Sequence, residues 1–492
     1  MKILLVNPPF NISKDNYDSS ISMGILCLAS FLDSRGFSVK IIDGARQKNW
    51  QKNLEEEILS SDLIGFSVMT TQVSEALQLS KKARKINSRA LIVWGGVHPT
   101  LFPESTAGHP FCDIAVIGEG EETLLEITES LKNRDLISVK QILGIAFKNK
   151  EGRVIVTEKR PLMKMSEIPL PNWELEPKEI LENIDIIPTH TSRGCPHKCA
   201  FCVNAISNNI WRAREAREVL EDIRVIKSKK YFQGKPLRFW DENFFVNKKR
   251  AEEIIEGLIE KNLTVPWETT IRVNYLKKDF IDDRFLAKIR KSGCYLFSFG
   301  AESGSPRILR KLDKDITREE IINSARSCLR HGIIPQYSFM VGLPEETRED
   351  VKMTLSLIDE LFKLSDRVQI LGPQVFRPYP GGTLYEECLA LGWKEPETLS
   401  QWAEMVENEL NYLTPRNFPW ISSPDFVESL EAYVRFGAHS IESALGSTVK
   451  AARAFKLAFI LICKIRWKLK FFAFPWDFKL AKNFISRKKI YD

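Results

Sequence analysis

The chain has 492 residues, 43% of them apolar and 27% charged. That is ordinary globular composition; it excludes a disordered or fibrous chain and, at about 100–200 residues per domain, implies two to four domains. The net charge of +7 is unevenly placed: residues 450–492 carry twelve Lys and Arg against two Asp, and the other 449 residues come to −3, so the body offers no basic field for nucleic acid.

Three of the nine cysteines crowd into residues 195–202. Such a count and spacing fit a reducing compartment and a metal site better than a secreted disulfide framework. The apolar residues 1–6 stop at Asn7-Pro8-Pro9, before the roughly 7–15 apolar residues of a signal peptide. No stretch reaches the roughly 18 uncharged apolar residues of a membrane span, so a cytoplasmic protein is expected.

Along the first 135 residues, apolar runs at 3–6, 39–42, 63–68, 91–94 and 114–117 alternate with helical patterns at 25–32, 54–59, 73–86 and 123–131. Repeated βα units predict a doubly wound parallel sheet, whose ligands sit beyond the carboxyl ends of the strands. Small and polar residues cluster there: Asn7-Pro8-Pro9, Ser67 with Thr70 and Thr71, Gly95-Gly96 with His98, and Gly118-Glu119-Gly120-Glu121. Glycines at such turns either make the turn or admit a ligand to the backbone. A GxGxxG after the first strand is missing, so a nicotinamide fingerprint is too.

The residues Gly24-Ile25-Leu26, Leu28-Ala29-Ser30-Phe31-Leu32, Gly36-Phe37, Asp43, Ile64-Gly65-Phe66-Ser67, Gly95-Gly96-Val97-His98-Pro99 and Gly118-Glu119-Gly120-Glu121 resemble the N-terminal cobalamin-binding domain of one branch of radical SAM enzymes. The resemblance implies a corrinoid held near Ser67, Thr70, Thr71, Gly95, Gly96, Gly118 and Glu119. The wider cobalamin family carries an axial histidine in Asp-x-His-x-x-Gly. None of the six histidines here has Asp two positions before it, so no such histidine is expected on cobalt. Runs at 145–147 and 154–157 around Asn149-Lys150-Glu151-Gly152 read as a hairpin, and Pro161, Pro169 and Pro171 as a stiff linker.

Residues 191–204 read Thr-Ser-Arg-Gly-Cys-Pro-His-Lys-Cys-Ala-Phe-Cys-Val-Asn. Cys195, Cys199 and Cys202 place three thiolates on one loop, enough for three irons of a cubane cluster. Zinc is the rival, with His197 or a distant cysteine as fourth ligand, but zinc sites usually pair two knuckles and no second knuckle exists. The C-x3-C-x2-C spacing with Phe201 resembles the radical SAM signature. It implies a [4Fe-4S] cluster whose open iron binds S-adenosylmethionine, and an electron donor such as flavodoxin or ferredoxin.

Six further strand–helix units follow, with strands at 188–192, 237–240, 268–272, 295–299, 336–341 and 368–375. Six are too few for a closed eight-stranded barrel, so an open partial barrel is expected, with polar residues at its catalytic end: Asp241, Glu242 and Asn243, Arg272 and Asn274, Glu302 and Ser303, Gly342 to Glu345, and Arg377. By resemblance Asp241, Glu242, Glu302, Ser303, Gly342 and Glu345 surround the S-adenosylmethionine; each alone could equally be a helix cap or a solvated strand end. Cys294, Cys328 and Cys388 lack metal spacing and read as small packed residues.

Beyond residue 382 the strand rhythm ends. Helical patterns occupy 402–410 and 426–445, and a basic amphipathic segment with Phe455, Phe459, Ile460, Trp467, Phe471 and Phe472 follows. It reads either as an interfacial helix on anionic lipid or as a docked C-terminal helix with solvated lysines. The expected domains are a cobalamin-binding Rossmann-like domain at 1–135, a hairpin and linker at 136–185, a partial (β/α)6 barrel at 186–385 and a helical region at 386–492.

The resemblance implies an enzyme that methylates an unactivated carbon through cobalamin. A ring-forming radical oxidation like that of the anaerobic magnesium-protoporphyrin ester cyclase is the alternative. A cobalamin or cluster sensor without turnover is a third reading, against which the full set of S-adenosylmethionine-side residues argues. A lipid-like molecule and a tetrapyrrole are the substrate classes in view; no residue singles itself out as a catalytic acid or base.

Overall fold

The N-terminal apolar runs become strands because helices cover both faces of the sheet they build. In the computed structural model, which describes residues 1–10, 21–133, 138–204, 209–408, 415–438 and 450–481, these are β1 (Lys2–Asn7), β2 (Ser38–Asp43), β3 (Leu63–Ser67), β4 (Leu91–Gly95) and β5 (Ile114–Val116). They pair in parallel. The hairpin β6 (Ile145–Lys148) and β7 (Val154–Val156) continues the same sheet antiparallel, giving the order β2-β1-β3-β4-β5-β6-β7. Leu4, Val6, Ile42, Ile64, Ile92, Trp94 and Ala115 are fully buried in it. Of the flanking helices, Val73–Ile86 has Glu75 in its first turn and Arg84 and Lys85 in its last, as the helix dipole favours.

The chain forms two compact units. The first comprises Met1–His197, Val203–Thr269 and Lys394–Tyr412. The segment after Pro161 is packed within it: Met163, Met165 and Ile168 gather on Phe31, and the Arg214 guanidinium donates to the carbonyls of Ile168 and Pro169 at 2.9 and 3.1 Å. The helix Leu399–Asn408 belongs to this unit as well. Ser74 Oγ donates to its Glu407 at 2.6 Å, and Trp402 meets the His98 ring edge-on.

The second sheet contains the six strands that the pattern predicts, β8 (Ile187–Thr189), β11 (Leu237–Phe239), β12 (Trp267–Ile271), β13 (Cys294–Glu302), β14 (Ile334–Val341) and β15 (Gln369–Val375), in that order. Between β8 and β11 lies a ribbon of β9 (Ser192–Arg193) and β10 (Arg212–Ala213). β8 is shorter than the predicted 188–192 because Asp241 takes hydrogen bonds from Thr191 and Ser192, which draws them out of the ladder.

The second unit comprises Lys198–Cys202, Thr270–Trp393 and Leu413–Asp492. On β14 the residues facing the helices, among them Tyr337, Phe339 and Val341, are fully buried. The opposite face is half-exposed and polar: Ser298 Oγ donates to Gln336 at 2.7 Å, and Gln336 Nε2 to Gln369 at 2.8 Å. A closed barrel would fill that face with branched apolar side chains. In the C-terminal part, Lys450–Leu469 is one helix lying against Pro424–Gly437. Residues 439–445 of the expected helix, the Phe455 side chain and the basic residues beyond 481 lie outside the described residues.

Candidate functional site

The first unit has an open-mouthed cavity of about 580 Å³. Its depth is apolar, walled by Leu5, Val93 and Val116 of the sheet and by Ile25, Leu28 and Leu124 of the covering helices. Its rim is polar and built of tight turns: Ser67, Gly95, Gly96, Gly118 and Glu119. The glycines keep the strand ends low. A Cβ on Gly65 would come within 2.8 Å of Leu5 Cδ2, and one on Gly96, at φ +99°, within 2.8 Å of the Val68 nitrogen. Apolar depth, a backbone-lined rim and this volume suit a large cofactor with one apolar arm, and the residues fit a corrinoid.

Of the residues expected there, Ser67, Gly95, Gly96, Gly118 and Glu119 stand in the wall. Thr70 and Thr71 stand outside it, in the short turn Thr70–Gln72. Gln72, which sequence reasoning passed over, is buried and ties the ends of two strands, its amide donating to Asn7 Oδ1 at 3.0 Å and to the Pro8 carbonyl at 2.6 Å. His98 is fully buried against Phe102, its Nδ1 3.3 Å from Thr70 Oγ1, and burial drives its pKa down to about 3. His190 at the end of β8 does line the cavity; burial, then Arg193 and Arg214, lower it to about 4. Both imidazoles are neutral at physiological pH. The place of His190 just before the cysteine loop is the signal that could have found it.

The same wall contains the start of that loop: Ser192, Arg193, Gly194 and, beside them, Glu242. Asp241 is buried and saturated, accepting from Thr191 N at 2.7 Å and from the Thr191 and Ser192 hydroxyls at 2.5 Å. Burial raises its pKa, with those bonds opposing. Glu242 accepts from Gly194 N at 3.2 Å; burial raises its pKa too, and the neighbouring Asp241 adds to the rise. Arg250 donates to the carbonyls of Thr191 and Arg214 at 2.8 and 2.6 Å. These groups hold the entrance to the cysteine loop from one side.

In the second unit, Cys199 Sγ accepts from Arg272 Nη1 at 3.5 Å. The same guanidinium donates to Asn274 at 3.4 Å and to the Lys314 carbonyl. Lys314 Nζ lies 2.8 Å from Glu302 Oε1 and 5.6 Å from the centre of the Phe201 ring. Glu302 stands at a bulge of β13 with φ +62°. Ser303 is buried in its own turn, 3.1 Å from Thr354 Oγ1. Gly342, at φ +78°, donates to Glu346 at 2.6 Å and accepts from Trp420 Nε1 at 2.9 Å. Glu345 is exposed, and its ion pair with Lys311 at 2.8 Å lowers its pKa.

None of the nine cysteines is in a disulfide; Cys195, Cys199 and Cys202 are half-buried and the other six are buried. Among the described residues no three Cys, His, Asp or Glu side chains are gathered as a metal site. The donor chemistry nonetheless fits a thiolate-held cluster, since the three cysteines of one loop alone keep partial access while burial pushes the thiols of Cys27, Cys112, Cys328, Cys388 and Cys463 upward.

Residues 189–358 match the family model of the radical SAM superfamily, and residues 17–128 that of the B12 binding domain. The chain is 32% identical over 416 residues to an uncharacterized methyltransferase of Pyrococcus horikoshii, covering 81% of this chain and 87% of that one. It is 24% identical over 397 residues to the anaerobic magnesium-protoporphyrin IX monomethyl ester cyclase of Rubrivivax gelatinosus, covering 79% and 70%. Its fold resembles that of the cobalamin-dependent S-adenosylmethionine radical enzyme OxsB, solved with aqua-cobalamin and S-adenosylmethionine, with a TM-score of 0.61 and 21% identity. That match covers 83% of this chain but only 56% of the OxsB chain.

Proposed function

The chain belongs to the radical SAM enzymes that carry an N-terminal B12-binding domain, and from that premise we propose that it transfers a methyl group to an unactivated carbon. One observation carries the reading: a single cavity wall contains both the glycine-lined rim of the B12-binding sheet and the residues that lead into Cys195. Relatives named as methyltransferases support it. Bound cofactors would supply the hard chemistry, the cluster with S-adenosylmethionine a carbon radical that removes hydrogen and the corrinoid a methyl group. Cys195, Cys199 and Cys202 would hold the cluster, and Ser67, Gly95, Gly96 and Gly118 the corrinoid.

The remaining work is done by this chain's own groups. Asp241 and Arg250 fix Thr191 and so orient the loop. Arg272 directs an N–H at Cys199, the kind of bond that tunes a cluster's potential. The Glu302 and Gly342 turns would face S-adenosylmethionine, with Phe201 beneath Lys314.

The half-exposed face of β13 to β15 would take a large substrate. We read that substrate as a tetrapyrrole or a lipid-like molecule, since relatives include enzymes named for magnesium-protoporphyrin and bacteriochlorophyllide. A small flavodoxin or ferredoxin would deliver the electron.

We place the enzyme in the cytoplasm, in contact with a membrane surface. Among the described residues no helix is long and apolar enough to cross a membrane. Helix Lys450–Leu469 instead divides its faces. Ile460, Cys463 and Trp467 are buried, and Arg466 forms an ion pair with Asp477 at 2.7 Å. Leu457, Leu461, Ile465 and Leu469, four residues apart, are 36, 44, 58 and 69% exposed. Phe471, Phe474, Trp476 and Leu480 extend the exposed surface beside Lys468, with Lys470 and Lys479, paired to Asp359 and Asp425 at 2.7 and 2.6 Å, at its edge. Apolar and aromatic side chains flanked by lysines match an anionic bilayer interface.

The test of the reaction is product analysis with methyl-labelled S-adenosylmethionine, reductant and a tetrapyrrole or lipid candidate. Label on a carbon of the product is expected. A product oxidised to a new ring with no label incorporated would replace methyl transfer by the cyclase reading.

A further inference from the structure

In the ribbon of β9 and β10, Arg193 lies directly opposite Arg212. Like charges so placed repel, and two strands of two residues have no stability of their own. The charge that offsets them comes from Glu119, in the turn after β5. Its Oε1 lies 2.5 Å from Arg212 Nη2 and 3.3 Å from Arg193 Nη1, and its Oε2 accepts from Arg212 Nη1 at 3.1 Å. Glu121, almost wholly buried, accepts from Arg193 Nη2 at 2.6 Å. Arg212 also donates to the Met163 carbonyl.

This ribbon is the neck of the loop that begins at Gly194 and carries Cys195. Glu119, Arg193 and Arg212 all stand in the cavity wall. We propose that Glu119 is a positioning residue that clamps this neck to the rim of the corrinoid cavity. The proposal rests on the cofactor reading above and departs from it at one residue, since Glu119 then acts on the chain and not on the corrinoid.

Two arguments carry it. Both carboxylate oxygens are spent on three contacts to two guanidinium groups, a forked geometry that fixes direction as well as distance. Without Glu119, Glu121 would still hold Arg193 and the Met163 carbonyl Arg212, but the carboxylate that bridges the two opposed arginines would be gone. The functional need is clear: a misplacement of about 1 Å between reacting groups can cost about a hundredfold in rate. A clamp between the cavity rim and the cysteine loop removes that freedom.

The test uses full-length protein reconstituted anaerobically with iron, sulfide and cobalamin, as wild type, Glu119→Gln, Arg212→Gln and the double variant. The variants should bind corrinoid and iron within twofold of wild type. Hydrogen exchange of the peptide spanning residues 190–196 should be at least tenfold faster in each, and no faster in the double variant than in either single one. Pulsed electron paramagnetic resonance between cob(II)alamin and the reduced cluster should give a broadened distance distribution. A tenfold loss of corrinoid affinity with exchange unchanged would make Glu119 a cofactor ligand and overturn the proposal, as would effects that multiply in the double variant. If Glu119→Gln does not fold, Arg212→Lys keeps the charge and loses the fork; intermediate exchange is expected, and wild-type protection would refute the clamp. If wild-type protein takes up no corrinoid, the cofactor reading fails, while the exchange comparison still decides the clamp.

Discussion

Lys314→Met probes the residues expected around S-adenosylmethionine. The Lys314 and Glu302 side chains are about nine-tenths buried, with Nζ 2.8 Å from Oε1. Methionine keeps the unbranched apolar stem and removes the charge. Removing one partner of a buried ion pair costs about 3–5 kcal/mol, because the other charge stays desolvated without compensation. The lost cation–π contact with Phe201, 5.6 Å away, adds about 0.5–1 kcal/mol. Glu302→Gln on top of Lys314→Met removes the stranded charge, so the double variant should regain on the order of half the loss. The chain forms two units, so a single global unfolding curve is a poor reporter. Hydrogen exchange of peptides covering β13 reads the local opening free energy instead. A Lys314→Met protein within about 1 kcal/mol of wild type, or a double variant no better than the single one, would refute the reasoning.

Three further outcomes are expected. Gly194→Ala should lower the iron bound after reconstitution at least severalfold, because Gly194 has φ +81° and a Cβ there would lie 2.0 Å from the Ile210 carbonyl oxygen; iron content by chemical assay decides it. Burial holds the Glu346 carboxyl up at about 7 despite its bond from Gly342 N, so the folded chain keeps a proton that the unfolded chain releases near 4.5. Local stability should therefore fall as pH rises from about 4.5 to about 7, by up to about 3 kcal/mol, and level off above; Glu346→Gln should flatten that slope in hydrogen exchange of peptides covering residues 342–350. Replacing Leu461, Ile465, Leu469 and Phe474 together by glutamine should lower binding to anionic vesicles by about 4 kcal/mol, taking about 1 kcal/mol per half-exposed side chain, and sedimentation at low salt with wild-type affinity would exclude the membrane surface.

The sheets were legible because their strands are short apolar runs separated by helical periods, and the six strands of the second sheet follow the predicted order along the chain. The cysteine loop was legible for the same local reason, since its spacing is self-contained. The tail was legible only in part. Its composition announces an amphipathic basic helix but not which side chains dock: Ile460, Cys463 and Trp467 are buried, while the row from Leu457 to Leu469 stays exposed. Point substitutions on the exposed row probe membrane contact without uncovering the face of helix Pro424–Gly437 that Lys450–Leu469 covers. The helix Leu399–Asn408 shows the limit of periodicity. Its apolar face is readable, but its partner Ser74 lies 333 residues before Glu407.

The strand-end carboxylates mark where local reading stops. Asp241, Glu119 and Glu302 are all carboxylates at or just after the end of a strand, so all three look like ligands. Asp241 spends its oxygens on Thr191 and Ser192, about 50 residues earlier, and Glu119 on Arg212, 93 residues later. Both therefore hold chain. Glu302 has one oxygen on Lys314, 12 residues away. A carboxylate at a strand end is equally suited to a cofactor's hydroxyl or to a loop's N–H, because both present the same donor at the same distance. What separates them is whether its lone pairs are already filled by residues remote in sequence. In this chain the rim of the cavity is made mostly of glycine and backbone, and under the proposal Glu119 and Glu121 are spent on the arginines of the neck that leads to Cys195.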